Sequence, residues 1–311
     1  MNDVTSPYVP EPDDVASPAA VADALGRDGY LADEELATAL FLAVRLGRPL
    51  LLEGEAGVGK TEVARAWASV TGSPLIRLQC YEGIDIGHAL YEWDYPRQLL
   101  HLRSAEAGGT GRPADALEAE LYDERFLIRR PLLEALGGEV GSPAPVLLID
   151  EIDRADDEFE AFLLEVLSDH AVTIPELGTI TAAVVPIVVL TSNRTRDLHD
   201  ALKRRCIYHW VDHPDAEREA AIVASRAPGL PAELVARTVG LVVELRALSL
   251  YKPPGVAETI DWAHAFGELG AGVDATTTRL TLGAVLKYHE DRERILDAGI
   301  ERLLEPDEPG S

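Results

Sequence analysis

The stretch GEAGVGKT, Gly54 to Thr61, fits the pattern G-x-x-x-x-G-K-[ST], with the apolar run RPLLLEG before it and the helical pattern KTEVARAWASV after it. That setting gives each residue type a task. Gly54, Gly57 and Gly59, with Glu55, Ala56 and Val58 between them, let backbone N–H groups turn inward around phosphate oxygens. The helix that follows adds its dipole, Lys60 neutralises β and γ phosphates, and the Thr61 hydroxyl can hold Mg²⁺. Residues 54–61 therefore predict a nucleotide phosphate site, but by themselves they do not predict hydrolysis.

Hydrolysis needs a carboxylate at the end of a neighbouring strand, and VLLIDE offers two. Asp150, at the tip of four apolar residues, can bind Mg²⁺ through water, and Glu151 is placed to orient and deprotonate an attacking water. Acidic residues after a strand are also ordinary turn formers or helix caps, which suits Asp153 and Asp156 better than the pair at 150 and 151. Asn193, at the end of the apolar run PIVVLTSN, can hold the same water; an Asx-turn closing the strand is its simpler use. In DALKRRC, Lys203, Arg204 and Arg205 stand together, and taken alone three adjacent cations read as a solvated helix end.

These residues need a scaffold, and the order of elements supplies one. Asp33 to Leu46 carries Leu36, Leu40, Ala43 and Val44 at helical spacing, RPLLLEG reads as a buried strand, KTEVARAWASV as a helix and PLIRLQC as a strand. Strand, helix, strand predicts a parallel sheet. Residues 81–126 form an insertion with a possible amphipathic helix and a Gly/Pro-rich tip at Gly108 to Pro113. PVLLIDEIDR is a third strand. A helix follows with Phe159, Phe162, Leu163, Val166 and Leu167 on one face and Asp156 as N-cap. VTIPELGTITA alternates around Gly178 like a hairpin, and PIVVLTSN is another buried strand. Beyond His213 only helices are expected: Asp215 to Ala227, Ala232 to Leu248, Val256 to Leu269, Thr277 to Tyr288, and Asp291 to Leu304. The predicted organisation is an arm over 1–24 ending in a short helix, an α/β unit over 25–212, and a helical unit over 213–305.

A chain of 311 residues that is 47% hydrophobic can bury a sizeable core. The start MNDVTSPYVPEPDD is acidic where an export signal would be basic and then apolar, and no apolar run approaches the ~18 residues of a membrane span. The expected location is the cytoplasm. Cys80 and Cys206, without paired spacing, are expected as reduced, partly buried thiols. With 28 Lys+Arg against 54 Asp+Glu the net charge is −26, which repels nucleic-acid backbones at range and disfavours them as partners.

The phosphate loop, the strand-end carboxylates, Asn193, the following arginine pair and a helical C-terminal part together resemble the AAA+ ATPases. The insertion after PLIRLQC, the hairpin before LTSN and DALKRRCIYHWVDHP are similar to the MoxR family, and KPPGVAETIDW, Lys252 to Trp262, to its CoxD-like members. That resemblance implies an AAA+ P-loop core, α/β with a mainly parallel five-stranded sheet between helices, followed by an all-helical lid. It implies Mg-dependent ATP hydrolysis in a ring, usually hexameric, with Asn193 as sensor 1 and Arg205 as an arginine finger reaching the next subunit; Arg204 is the fallback. It also implies a chaperone that remodels a client protein or matures its metal cofactor, often beside a von Willebrand A-type partner. The insertion at 81–111 and the hairpin at 172–182 are then candidates for client contact. Where related proteins carry a sensor 2 arginine, this chain has Glu258, read as a first-turn acid pointing away from nucleotide, with Lys252 as a weak substitute. The readings that compete are a P-loop small-molecule phosphotransferase, a non-hydrolysing nucleotide-dependent scaffold and a DNA-directed AAA+ ATPase.

Overall fold

A computed structural model describes residues 16–107, 117, 120–270 and 272–304. The chain forms two compact units. One takes in the described residues of Met1–Ala24, Asp33–Glu53 and Ala64–His209; the other takes in those of Leu25–Ala32, Gly54–Val63 and Trp210–Ser311.

Near-continuous apolar runs make fully covered strands, and β1 (Leu50–Gly54) and β5 (Val146–Asp150) are buried at every position. β8 (Ile187–Ser192) is buried after its first residue. With β2 (Leu75–Gln79) and β9 (Ile207–Val211) they form a five-stranded sheet in the order β2-β5-β8-β1-β9. The ladders β2/β5, β5/β8 and β8/β1 are parallel, and Ile207 N–H donates to Pro49 O beside β1. The register sets Gln79 opposite Asp150 and Glu53 opposite Ser192, at the carboxyl ends where open α/β sheets bind ligands. The sheet is thus the five-stranded one expected, and its fifth strand is IYHWV, rich in the β-branched and aromatic residues that strands favour.

The helix Asp157–Asp169 places Phe159, Leu163, Val166 and Leu167 in the core with Leu147, Ile149, Val188 and Leu190. Phe162 is only partly buried. Asp156 is its N-cap, accepting from Phe159 N–H at 2.9 Å. The helix Glu34–Leu46 is likewise capped by Asp33 and stops at Gly47, whose φ of 60° is left-handed. Hairpin β6 (Ala171–Ile174) and β7 (Gly178–Thr181) is antiparallel and turns through Gly178 at φ 83°. Within the insertion, β3 (Tyr91–Trp93) pairs antiparallel with β4 (Leu127–Arg129), and the helix Tyr95–Ala107 lies between them in sequence. The tip at Gly108 to Pro113 lies outside the described residues.

At the amino end a helix spans Pro18–Arg27 and so runs past residue 24. The second unit is helical from Ala216: Ala216–Arg226, Ala232–Ala247, Val256–Glu268, Ala275–Val285, His289–Ala298 and Glu301–Leu304. Two expectations need correction. The fourth of these helices starts earlier than read, because Asp274 caps it through Thr277 N–H at 2.8 Å, and ends earlier, at Val285, where Leu286 turns extended. The last is two helices, interrupted at Gly299 with φ 87°. Trp262 and Phe266, both fully buried, centre this unit's core with Leu241, Leu245, Leu282 and Ile295, each such side chain contributing about 1.5–3 kcal/mol. No helix among the described residues is long and apolar enough to cross a membrane.

Candidate active site

The phosphate loop leaves β1 at Gly54 and opens the helix Lys60–Thr71, with Thr61 in its first turn. Gly57 and Gly59 adopt φ of 84° and 93°, the left-handed conformation that costs glycine little. Gly54 is needed for space, since a Cβ there would stand 2.3 Å from Val211 O. Lys60 is 6% exposed, and its Nζ donates to Gly54 O at 2.9 Å and Glu55 O at 2.6 Å, so the ammonium is folded across the loop. The Glu55 carboxylate meets His213 Nε2 at 3.2 Å.

The loop is backed by KPPG. Val256 N–H donates to Gly57 O at 3.0 Å, and Gly255 packs so closely that a Cβ on it would lie 2.8 Å from Gly57 Cα. Two buried carboxylates and one half-buried guanidinium of the same unit fix this segment. Asp291 accepts from Tyr251 N–H at 2.7 Å and Lys252 N–H at 3.1 Å, and Arg246 Nε donates to Pro254 O at 2.7 Å. Arg246 is itself held by both oxygens of Glu219, at 2.6 and 2.8 Å, and Glu219 also accepts from the Thr259 hydroxyl at 2.6 Å. Glu258 accepts from Gly255 N–H at 3.0 Å, half of a capping box. It is the first-turn acid expected, and its Oε2, held in that cap, stands 3.1 Å from where a Cβ on Gly57 would be. The helix N-terminus provides the positive potential that tolerates it there. Lys252 is exposed, and what the structure holds of it is its backbone N–H.

The carboxylate cluster is built in the first unit. Asp150 is 4% exposed. Its Oδ1 accepts from the Thr191 hydroxyl at 2.5 Å, and its Oδ2 accepts from Arg77 Nε at 3.1 Å and Nη2 at 2.5 Å. Thr191 also accepts from Glu151 N–H at 2.9 Å, which fixes Glu151 at φ 55°, uncommon for a residue with a side chain and typical of functional sites. Glu151 Oε1 accepts from Asn193 Nδ2 at 3.3 Å, and Oε2 meets Gln79 Nε2 at 3.1 Å and Arg154 Nε at 3.0 Å. Asp153 turns out to be neither a cap nor a simple turn former. It is 2% exposed and accepts from the N–H groups of Asn193 at 3.2 Å and Thr195 at 2.8 Å and from the Thr195 hydroxyl at 2.7 Å, tying the end of β5 to the loop after β8. Burial, reinforced by the charges of Asp150, Asp153 and Glu151, pushes the Cys80 thiol up to about 12, so it is an inert wall of this cluster.

The basic cluster divides. On the helix Asp200–Arg205, Lys203 turns in toward the buried Glu53, Nζ to Oε1 3.4 Å, whereas Arg204 and Arg205 are exposed and their side chains make no hydrogen bond or ion pair among the described residues. Their carbonyls are gripped by Arg48, which donates to Arg205 O at 2.9 Å, Arg204 O at 2.5 Å and Cys206 O at 3.3 Å. Arg48 therefore satisfies the open carbonyls of that helix end and leaves the two guanidinium groups outward.

The AAA domain (dynein-related subfamily) matches residues 49–206, about half of the chain and nearly all of the sheet with its carboxylate cluster. The chain is an AAA ATPase of the dynein-related subfamily. Comparison with curated proteins gives no match. As an AAA ATPase it binds ATP and hydrolyses it with Mg²⁺. The residue types suit those ligands: Gly57 and Gly59 are at the left-handed φ that phosphate loops use, Lys60 carries a cation, and Asp150 is a buried carboxylate of the hard oxygen kind that Mg²⁺ prefers.

In this AAA ATPase the structure brings Asp150, Glu151 and Asn193 together and gathers Gly54 to Thr61 into one loop; Arg204 and Arg205 lie on an exposed helix end. Sequence reasoning missed Arg77, Gln79, Thr191 and Arg48. The polar alternation of RLQ in PLIRLQC was the available signal for the first two, since in a half-covered strand Arg77 and Gln79 must share a face. Thr191 sits within an apolar run and offered none.

Proposed function

We propose that this AAA ATPase is a ring-forming remodelling motor of the MoxR type, usually hexameric, most similar to CoxD-like members, that acts on a client protein in the cytoplasm, in activation or metal-cofactor maturation, beside a von Willebrand A-type partner. In this reading Gly54 to Thr61 bind the phosphates, and Thr61 and Asp150 hold Mg²⁺, which when bound neutralises charge on the transferring phosphoryl group. Glu151 takes the proton of the attacking water while Asn193 orients it. Arg205, with Arg204 as fallback, offers its charge to ATP on the neighbouring subunit as charge develops in phosphoryl transfer. Residues 25–212 are the ATPase core and 213–305 the lid.

The observation that carries the reading is the pair Glu151 and Asn193, carboxylate hydrogen-bonded to amide at 3.3 Å at the end of a parallel sheet, so that both can bond to one water lying beside them. The exposed side chains of Arg204 and Arg205, which make no hydrogen bond or ion pair among the described residues, support the action on a neighbour. The insertion supports client contact, since Tyr95, Leu99 and Leu100 on one helix are 65, 50 and 64% exposed. The test is phosphate release per subunit as a function of protein concentration. It rises with assembly and drops about a thousandfold in Arg205→Ala with assembly intact; turnover independent of concentration and of both arginines would sink the ring reading.

A further inference from the structure

We propose that Arg77 is a built-in counter-cation of Asp150 that competes with Mg²⁺ and so sets the metal affinity of this ATPase. The proposal rests on the reading in which Asp150 holds the metal.

β2 is the edge strand of the sheet, and its residues alternate exposed and buried, so Arg77 and Gln79 project from one face. The register with β5 places Gln79 opposite Asp150 and Arg77 two residues back, within reach along the strand. The Arg77 side chain is 46% exposed while the Asp150 side chain is 6% exposed, so the arginine comes from the solvent side onto a buried carboxylate. It is a two-nitrogen approach, Nε and Nη2 both on Oδ2, with Oδ1 already taken by Thr191. A metal-bound water seeking Asp150 meets a permanent positive charge beside the same oxygen. Arginine cannot lose its proton to relieve that repulsion, as a lysine could. The same guanidinium bonds Gln79 Oε1, and Gln79 Nε2 bonds Glu151, so the group that guards the metal carboxylate is tied to the one that guards the proposed base. Nothing in the packing of an exposed edge position requires arginine, because the aliphatic part alone would be met by leucine or methionine.

The test measures the metal itself. Free Mn²⁺ is titrated against the full-length protein with ADP and read by electron paramagnetic resonance, for the parent, Arg77→Met, Arg77→Gln and Asp150→Asn. Arg77→Met and Arg77→Gln are expected to bind Mn²⁺ about tenfold tighter than the parent, since a unit charge beside the carboxylate is removed. Both are expected to melt at a lower temperature in EDTA, where the buried carboxylate has lost a counter-charge, and to gain more than the parent from adding metal with ADP. A merely structural arginine would give the lower melting temperature without the tighter metal. Equal or weaker Mn²⁺ binding in both Arg77 variants, with binding lost in Asp150→Asn, overturns the competition and leaves the ATPase reading intact. Parent-like Mn²⁺ binding in Asp150→Asn removes Asp150 from the metal site and overturns both. If Arg77→Met does not fold, Arg77→Gln, which keeps a hydrogen bond without the charge, decides alone.

Discussion

Replacing Gly255 by alanine tests whether the KPPG segment shapes the phosphate loop. The new Cβ would meet Gly57 Cα at 2.8 Å, Gly57 C at 2.9 Å and Ala56 O at 3.0 Å, all of them backbone atoms that cannot rotate aside. Gly255 itself has φ −85° and ψ −178°, which alanine adopts freely, so the effect is the clash together with roughly 0.5–1 kcal/mol from alanine being the poorer N-cap. Overpacking of this kind costs about 1–3 kcal/mol, and separating the two segments also strains the 3.0 Å bond from Val256 N–H to Gly57 O, worth about 1 kcal/mol. The loop is expected to move, weakening ATP by about tenfold, the equivalent of ~1.4 kcal/mol. Binding of a fluorescent ATP analogue and the thermal midpoint are the assays. Gly240→Ala is the control, because a Cβ there meets nothing within 4 Å in the helix Ala232–Ala247, and it should stabilise by about 0.5–1 kcal/mol. If Gly255→Ala binds nucleotide and melts like the parent, the contact does not support the loop.

Further outcomes follow from the same geometry. Thr191→Val keeps the shape of a buried side chain but leaves Asp150 Oδ1 and Glu151 N–H without their hydroxyl, at about 1–3 kcal/mol each, and steady-state turnover should fall at least about tenfold with ATP affinity nearly unchanged. Lys252→Ala should change neither nucleotide affinity nor turnover by more than about twofold, because only its backbone is engaged; a larger loss would restore the lysine as a substitute sensor. The thiols of Cys80 and Cys206, each pushed up to about 12 chiefly by burial, should resist alkylation at pH 8 until the protein is unfolded. Because folding raises these values from 9.0, the unfolded chain ionises first. Their contribution to stability is complete below pH 9 and is lost as pH rises toward 12.

The parts that were legible in the sequence are those in which one short segment does the whole task. GEAGVGKT and VLLID announce themselves because loop glycines and a buried strand leave a local pattern, and the hairpin turns at Gly178 as its alternation predicts. Arg77, Gln79 and Thr191 were not legible, because their role depends on the β2/β5/β8 register, which no one segment fixes. Arg48 acts on a helix end that lies over a hundred and fifty residues later, so only the fold reveals it. Glu258 was half legible: its place in the first turn follows from GVAE, while its approach to Gly57 follows from the seating of the whole KPPG segment on the loop.

Glu151→Gln puts the central claim to the most direct test. The amide keeps the size of the side chain and can still pair with Asn193 and Gln79, but it cannot take a proton from water. Rapid mixing with ATP and Mg²⁺ should show nucleotide binding within a fewfold of the parent and phosphate release slower by about a hundredfold to ten-thousandfold, the range a general base supplies. Phosphate release at close to the parent rate in that variant would contradict the assignment of Glu151 as the base and, with it, the chemistry assigned to this strand end.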